Sequence, residues 1–414
     1  MPLITFVIYT SIYIGLIATT FYILTFLEDK KKQRPFFSDK ELPKVTVLIP
    51  AFNEEETIAL TLDSILKSDY PKNKFEVIVI DDGSKDKTLQ IANKYKKNGI
   101  KIIAKVENQG KGAALNTGIE KANGEIIFTM DADTEVPSFS LINMTRYFKD
   151  PEIMSVTPAM VTKNPKNILQ RIQQIEYLTG LFLRKTFAAL NAVHITPGAF
   201  SAYRKSFFDK YGGYEENNIT EDLEMSLKIQ YNKYKIENAP EAPAYTNPPA
   251  KFSHLLKQRR RWYVGLMKNL WTYKQLFSKK YGDLGVFVLP IAGISIIFSV
   301  FVTIYLFINS ILDINKEIIF YQNINFDLTN VYQLNLFFFE RLFFNLATNT
   351  VLIFIILFLI VIAIYLNYAS KKTGKISGLM INLPLFFISF AILFGFWWIV
   401  SIFYVIFKKD ISWN

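Results

Sequence analysis

The chain opens with an almost uninterrupted apolar run of about 24 residues, from Leu3 to Phe26. As a helix this run would extend ~36 Å, which is long enough to cross a lipid bilayer. It lacks a basic leading segment and a small-residue cleavage site, so we interpret it as a retained anchor. The basic residues Lys30–Arg34 follow directly. By the positive-inside rule, they place the next domain in the cytoplasm.

More apolar segments occupy the C-terminal third. Residues 263–280 are too charged to cross a membrane and are predicted to lie along its surface. The segment 334–347 is broken by Glu340 and Arg341, and it is left open as interfacial or re-entrant. The basic loop 371–375 fits a cytoplasmic position. A multi-pass protein of the cell membrane is therefore predicted, with C-terminal spans at about Leu284–Ile311, Thr350–Asn367 and Leu379–Phe407.

The composition limits the chemistry. Without cysteine, the chain has no disulfide, thiolate nucleophile or Cys-bound metal. Its two histidines, His194 and His254, argue against a multi-histidine metal site. Any metal should be a hard cation such as Mg²⁺ or Mn²⁺, held by carboxylates. The net charge of +11 is spread along the chain and concentrates beside apolar stretches. This favours lipid headgroups and a phosphate-bearing substrate over nucleic acid.

Between residues 44 and 250 the composition is that of a globular domain. β-Branched runs alternate with helix-like segments, which predicts a βαβ succession and a parallel sheet. The predicted strands are 45–49, 75–80, 100–105 and 125–130, and the helices between them are 54–67, 87–97 and 111–123. Residues 240–249 contain four prolines and are predicted to form a hinge.

Polar and acidic residues follow three of the predicted strands. Asn53 follows the first strand, Asp81 and Asp82 the second, and Asp131 and Asp133 the fourth. The carboxyl ends of parallel strands are where such sheets bind ligands. Each cluster alone could be a turn or a helix cap, but capping is a poor explanation for three clusters at adjacent strand ends. Paired carboxylates would suit a divalent cation that bridges a diphosphate.

Three later motifs carry charge. Lys111 lies in a Gly-Lys-Gly turn, which allows close backbone approach to a phosphate. Thr220-Glu221-Asp222 opens a helix-like segment, and acidic residues at a helix start are its ordinary explanation. Gln258-Arg259-Arg260-Arg261-Trp262 precedes the predicted surface segment, where a basic run would ordinarily contact headgroups.

In this order, the motifs Asp-Asp-Gly, Asp-Ala-Asp, Thr-Glu-Asp and Gln-Arg-Arg-Arg-Trp resemble glycosyltransferase family 2. The resemblance is to its membrane-bound synthases of β-linked polysaccharides, such as cellulose, chitin, hyaluronan and poly-N-acetylglucosamine. It runs from about Val45 to Trp262 and implies an α/β fold of the GT-A type with a mostly parallel sheet. The domains would be an anchor (1–28), the cytosolic GT-A domain (44–250), the motif with an interfacial helix (251–282) and a membrane region (283–414).

The resemblance also implies roles for single residues. Donor contacts would come from Asn53, Asp81, Asp82, Lys111, Asp131 and Arg259. Asp133 and Asp131 would hold Mg²⁺ or Mn²⁺. Asp222 would be the general base, and Arg261 would stabilise the departing UDP. Acceptor contacts would come from Trp262, Glu221 and Gln258. The implied reaction is an inverting transfer of sugar from a UDP-sugar to the non-reducing end of a growing polysaccharide, coupled to translocation through the bilayer. The resemblance leaves room for an accessory membrane subunit.

The predicted donor sugar rests on which synthases of the family the sequence resembles. Residues 196–204 resemble the acceptor-proximal loop of these synthases, and their sequence is close to that of chitin synthases, which are far longer chains. Size and layout favour bacterial poly-N-acetylglucosamine synthases, although those usually begin with more than one span. N-acetylglucosamine is therefore the predicted sugar.

Two alternatives stay open. An enzyme of the same fold could transfer one sugar to a lipid, as ceramide glucosyltransferases do, and product size would distinguish it. A non-catalytic membrane protein could bind nucleotide alone, but a binding module has no need of a general base beside a metal site.

Overall fold

The computed structural model describes residues 3–29, 35–323 and 379–409, together with seven isolated positions between 340 and 366. Within these residues, a seven-stranded sheet carries helices on both faces, and long apolar helices lie near both ends of the chain. The strands are β1 (Val45–Ala51), β2 (Phe75–Asp81), β3 (Lys101–Ala104), β4 (Ile126–Met130), β5 (Ile153–Thr162), β6 (Phe200–Arg204) and β7 (Lys235–Thr246).

The sheet is mixed, with the order β3-β2-β1-β4-β6-β5-β7. Strands β1 to β4 pair in parallel, whereas β6 runs antiparallel to both β4 and β5. The four predicted strands are confirmed, and the mostly parallel sheet is corrected to a mixed one. The loop predicted for residues 196–204 is wrong in its second half. Phe200, Ala202 and Tyr203 are fully buried, because both faces of β6 are covered.

Helices form at the three places predicted between the strands. The first begins later than predicted because the chain turns after β1, where Asn53 has a left-handed φ of 55°. The helices are α1 (Leu3–Asp29), α2 (Ile58–Leu66), α3 (Thr88–Asn93), α4 (Lys111–Lys121), α5 (Ser140–Thr145), α6 (Ile168–Ala189), α7 (Lys205–Tyr211), α8 (Glu221–Tyr231), α9 (Phe252–Thr272), α10 (Leu289–Asn323) and α11 (Leu379–Ile406).

Two apolar cores cover the sheet, since successive residues of a strand point to opposite faces. In β1, Val47 and Ile49 join the core formed with α2 and α5, whereas Leu48 joins the core formed with α4 and α8. All three side chains are fully buried. Burying each aliphatic side chain stabilises the fold by about 1.5–3 kcal/mol. The loops at the strand ends are therefore anchored by well-packed strands.

The hinge predicted at residues 240–249 is wrong, because β7 contains Pro240 and Pro243. β7 is an edge strand, and an edge strand tolerates proline where its N–H side has no partner. Pairing with β5 also shifts here: Pro158 pairs with Ala239 and Ala159 with Pro243, so residues 240–242 form a bulge.

Two helices of the described chain are long and apolar enough to cross a membrane by length and composition. They are Phe6–Asp29 and Leu284–Asn323, of which the second includes the π-helical turn before α10. α11 contacts α6, α9 and α10. These helices indicate membrane association. Apart from isolated positions, the span predicted at 350–367, the segment 334–347 and the loop 371–375 lie outside the described residues.

Glu76 clamps the amino-terminal ends of the central strands. Its carboxylate accepts hydrogen bonds from Thr46 Oγ1 (2.6 Å) and the Asn123 N–H (3.0 Å), and it pairs with Lys101 Nζ (2.5 Å). Partial burial alone would raise the pKa of Glu76, but these donors lower it to about 2. The clamp joins β1, β2, β3 and the turn before β4.

We expect Glu76→Ala to lower the free energy of unfolding by about 2 kcal/mol, because it removes several charge-assisted hydrogen bonds. Since the folded pKa lies below the ordinary 4.5, this stability is present above about pH 4.5 and is lost as the pH falls towards 2. Thermal unfolding of the detergent-purified protein across this pH range measures both effects. Glu120→Ala, an exposed carboxylate on α4, is the control. Equal midpoints for Glu76→Ala and the wild type at pH 7 would contradict the clamp.

Candidate active site

The carboxyl ends of β1, β2 and β4 meet at one edge of the sheet because these strands are parallel neighbours. α4 and α8 begin at the same edge, since Lys111 at the start of α4 contacts both Asp131, just after β4, and Glu221 at the start of α8. This edge gathers most of the residues that the sequence analysis singled out: Asn53, Asp81, Asp82, Lys111, Asp131, Asp133, Glu221 and Asp222.

Asp82 positions the start of α4. Its buried carboxylate accepts hydrogen bonds from the N–H groups of Gln109 (3.2 Å) and Gly110 (2.8 Å), and it pairs with Lys105 Nζ (2.6 Å). The side chain is only 3% exposed. Asp82 therefore fixes the turn that carries Lys111 and has little capacity left for a ligand.

Asp81, in contrast, can still accept a hydrogen bond. One carboxylate oxygen accepts the Ser84 N–H (3.3 Å), and the other is buried without a hydrogen-bond partner in the described part of the chain. Asn53 lies beside it, donating its N–H to Ser84 Oγ and accepting the Lys85 N–H. Because a buried, unpaired oxygen is costly, Asp81 is suited to accept a hydrogen bond from a ligand.

Lys111 is the cation at the centre of the edge. Its Nζ lies 2.5 Å from Asp131 Oδ1 and 3.4 Å from Glu221 Oε1, and it donates to the carbonyl of Gly198 (3.2 Å). Burial would lower the pKa of Lys111, but Asp131, Glu221 and Asp222 raise it overall. The ammonium group therefore stays charged and available to a phosphate.

Asp131 and Asp133 lie just past β4. Burial, together with the charges of Asp131 and Glu54, raises the pKa of Asp133 to about 6. Such crowding of carboxylates attracts a cation. Within the described chain, no three acidic or imidazole side chains form a metal site by themselves. The donor set nevertheless fits Mg²⁺ or Mn²⁺, since Mg²⁺ is commonly held by one or two carboxylates with phosphate oxygens and water.

Asp222 lies in the first turn of α8, with its carboxylate oriented by the backbone. Oδ2 accepts the Gly198 N–H (2.7 Å), and Oδ1 accepts the Leu223 N–H (2.8 Å). A Cβ atom at residue 198 would lie 2.7 Å from Asp222 Oδ2 and 2.9 Å from Lys111 Nζ. Only glycine lets the 196–199 loop come this close. The geometry holds the Asp222 carboxylate beside the Lys111 ammonium group.

Glu221 precedes Asp222 but points inward. Its side chain is 2% exposed, and its carboxylate faces Lys111. Burial and the charge of Asp222 raise the pKa of Glu221, while Lys111 lowers it; the net direction is upward. The arrangement favours a role in holding Lys111 over the predicted acceptor contact.

The arginine-rich motif lies in the middle of α9 and not ahead of a surface helix. Arg261 Nη1 donates to the carbonyl of Ile219 (3.4 Å), which places this arginine beside the loop that leads to Asp222. Arg260 faces α11 and donates to the Tyr404 hydroxyl (2.8 Å). Of the two, Arg261 is therefore the one placed towards the active edge.

Arg259, predicted to contact the donor, is not placed there. It is 2% exposed and forms a bidentate pair with Glu176 of α6, at 2.6 and 2.8 Å. Its guanidinium also lies over Trp262, 4.4 Å from the ring centroid, and 5.5 Å from the ring centroid of Trp397 of α11. This commitment to Glu176 disfavours a donor role. Gln258 Oε1 is buried without a hydrogen-bond partner in the described chain, so it remains able to bind a ligand.

Two important residues were missed by sequence reasoning. Gly198 lies in a segment that was singled out, but only the folded chain brings its N–H to Asp222. Glu176 sits inside the amphipathic helix α6, where nothing in the pattern marks it as the partner of Arg259. A carboxylate on a helix is ordinarily a solvent-facing residue, so the sequence gives no signal for this pair.

Lysine and carboxylates at the strand ends of an α/β domain suit a phosphate-bearing ligand. Comparisons with known proteins identify the class of enzyme. The sequence model described as glycosyl transferase family 2 matches residues 46–212. Poly-beta-1,6-N-acetyl-D-glucosamine synthase of Staphylococcus epidermidis is 31% identical over 362 residues, covering 84% of this chain and 83% of that protein. The protein of the same name from Staphylococcus aureus strain COL is 35% identical over 262 residues, 62% of this chain and 63% of that protein.

A solved structure shares the fold. It is a mannosyltransferase from Pyrobaculum calidifontis in complex with GDP-Man and Mn²⁺, with a TM-score of 0.54 and 23% identity, covering 70% of this chain and 86% of that one. The chain belongs to glycosyltransferase family 2 and is similar to polysaccharide synthases of that family. It is therefore an enzyme that transfers sugar.

Proposed function

We propose that this enzyme transfers N-acetylglucosamine from UDP-N-acetylglucosamine to the non-reducing end of a growing β-linked polysaccharide, with inversion at the anomeric carbon. The observation that carries the proposal is the Asp222 carboxylate, held by the Gly198 N–H beside Lys111 and Asp131. The choice of sugar is supported by 31% identity to a poly-beta-1,6-N-acetyl-D-glucosamine synthase over most of both chains.

Donor binding would use the edge between β1, β2 and β4. The unpaired oxygen of Asp81 and the neighbouring Asn53 are suited to the uracil and ribose. The Lys111 ammonium group would exchange part of its interaction with Asp131 for one with the diphosphate, because the diphosphate carries more negative charge than one carboxylate. A divalent cation held by Asp131 and Asp133 would neutralise the negative charge that develops on the diphosphate. Asp82 acts indirectly, by holding the turn before Lys111.

In the chemical step, the acceptor hydroxyl oxygen attacks the anomeric carbon from the face opposite UDP. The bond between the anomeric carbon and the diphosphate oxygen breaks, and its electron pair leaves with UDP. Asp222 takes the proton of the attacking hydroxyl. Because the acceptor displaces UDP directly, no enzyme nucleophile is required. Lys111 and Arg261 stabilise the charge on the departing group.

The acceptor would approach from the side of α9. One face of the Trp262 ring is covered by Arg259, and a sugar ring would stack on the other face. Gln258, four residues before Trp262 in the helix, carries an unpaired oxygen. α9 contacts α11, and α11 contacts α10, so this side of the domain meets the apolar helices. We place the catalytic domain in the cytoplasm of a multi-pass protein that moves the polymer across the bilayer, with or without an accessory membrane subunit.

The test supplies the membrane-reconstituted enzyme with radiolabelled UDP-N-acetylglucosamine, UDP-glucose or GDP-mannose, each with Mg²⁺ or Mn²⁺ and with EDTA. We expect incorporation from UDP-N-acetylglucosamine to exceed the others by at least about tenfold and to stop with EDTA. A preference for another donor would overturn the sugar assignment. Label recovered only in a lipid would favour single-sugar transfer, and no incorporation from any donor would overturn the proposal.

A further inference from the structure

One side of α9 is fastened to the start of α8. Four residues spaced four apart, three within α9 and the last just after its end, contact α8 or the loop before it: Arg261, Gly265, Asn269 and Tyr273. Residues spaced in this way lie along one face of a helix. This face, which we call the α9 clamp, joins the helix that carries Trp262 to the helix that carries Asp222.

Asn269 makes the most bonds in the α9 clamp. Its Nδ2 donates to Thr220 Oγ1 (3.0 Å), and its Oδ1 accepts from Asn218 Nδ2 (2.7 Å). Asn218 Oδ1 in turn accepts the Thr220 N–H (3.0 Å). Asn269 is only 3% exposed. A buried amide with both ends bonded fixes one relative position of the two chain segments, which an apolar side chain would not do.

Two neighbours in the α9 clamp act in the same direction. A Cβ atom at Gly265 would overlap the side chain of Thr220, so glycine allows the two segments to touch. One turn beyond Asn269, the Tyr273 hydroxyl donates to Glu224 Oε1 (2.5 Å). The contacts therefore bracket Asp222, with Thr220 two residues before it and Glu224 two residues after it.

We propose that Asn269 is a positioning residue for the transfer step, acting through Thr220 on Asp222. This inference rests on the proposed function, because it assumes that Asp222 is the base. The distance between Asp222 and the groups on α9 depends on how α9 sits on α8. Asn269 sets that position, so that Arg261, Trp262 and the base meet one substrate in fixed relation. Asn269 itself touches no reacting atom.

The test compares kcat and donor KM for the wild type, Asn269→Ala and Asn269→Asp in the reconstituted enzyme, each beside its thermal midpoint. We expect Asn269→Ala to lower kcat by about 10- to 100-fold, since small misplacements of catalytic groups are costly. Donor KM should stay within about twofold, because the residues proposed to bind the donor lie at the ends of β1, β2 and β4 or at the start of α4, outside the α9 clamp. Asn269→Asp keeps an oxygen that can accept from Asn218, so its kcat should lie between those of the wild type and Asn269→Ala.

The matched control is Asn232→Ala, which removes a side-chain hydrogen bond to Lys228 at the far end of α8. It should leave kcat within about twofold of the wild type. An active wild type with an equally active Asn269→Ala would overturn the positioning role alone. The positioning role would also be overturned if Asn269→Ala raised the donor KM and left kcat unchanged. An inactive wild type would overturn the proposed function and this inference together.

A milder variant guards against a failure of Asn269→Ala to fold. Tyr273→Phe removes only the hydroxyl that bonds Glu224 and keeps the ring. It should lower kcat by about threefold or more with donor KM unchanged, in line with loss of one hydrogen bond to a charged group. If Asn269→Ala does not fold and Tyr273→Phe retains full kcat, the α9 clamp has no part in positioning the base.

Discussion

Asp222→Asn is expected to lower the rate of sugar transfer by about 10³- to 10⁴-fold, because the amide cannot accept the proton of the attacking hydroxyl. The substitution keeps the size of the side chain and one oxygen, which can accept the N–H of Gly198 or of Leu223. The fold should therefore remain, and UDP should bind as it does to the wild type. Incorporation of labelled sugar and UDP affinity, measured on the same preparation, separate the two effects.

Asp63→Asn on α2 is the matched control. Asp63 is exposed and accepts a hydrogen bond from the Tyr95 hydroxyl, away from the strand-end loops. It should keep activity within about twofold of the wild type. An Asp222→Asn enzyme that retains a tenth or more of wild-type activity would contradict the assignment of Asp222 as general base.

Gly198→Ala is expected to lower activity by about 100-fold, because displacing catalytic groups by even 1 Å is costly. The added Cβ atom would lie 2.7 Å from Asp222 Oδ2 and 2.9 Å from Lys111 Nζ, and both distances are too short for carbon. Either the loop moves, which breaks the hydrogen bond from residue 198 to Asp222, or the two charged groups separate. Steady-state incorporation and the thermal midpoint should be measured together, since the loss should appear in activity more than in stability.

Gly180→Ala offers the same chemical change without the crowding. Gly180 lies within α6, and a Cβ atom there would meet only Arg184 at 3.5 Å, an ordinary contact. Alanine within a helix is favoured over glycine by roughly 0.5–1 kcal/mol, so this control should be stable and active. A Gly198→Ala enzyme as active as the Gly180→Ala control would show that the close approach of the loop is not needed.

Local patterns were sufficient for the first half of the fold. β-Branched runs predicted β1 to β4 correctly. β1, β2 and β4 are mostly buried on both faces and therefore read as continuous apolar segments, whereas the half-buried edge strand β3 is marked by its two isoleucines. β6 and β7 were missed for physical reasons. Phe200–Arg204 mixes small, polar and aromatic residues that only make a strand once β4 and β5 flank it. The prolines of β7 are tolerated because that strand lies at the edge of the sheet.

The candidate site divides in the same way. Residues that follow strands, such as Asp81 and Asp131, could be identified from the chain because strand ends determine where they lie. Contacts between distant segments could not be identified. The pairing of Arg259 with Glu176 and the N–H of Gly198 on Asp222 join residues 83 and 24 positions apart. The resemblance implied a role at the donor for both Arg259 and Arg261, and the packing of α9 between α8 and α11 separates them.

We propose that one active site adds sugar repeatedly to the same polymer, and the size of the product tests this directly. The reconstituted enzyme is given limiting labelled UDP-N-acetylglucosamine, and products are separated by gel filtration at early times, beside Asp222→Asn. We expect label in high-molecular-weight material from the first time points and none with the variant. Label confined to a single-sugar lipid, or product that forms equally with Asp222→Asn, would contradict this proposal.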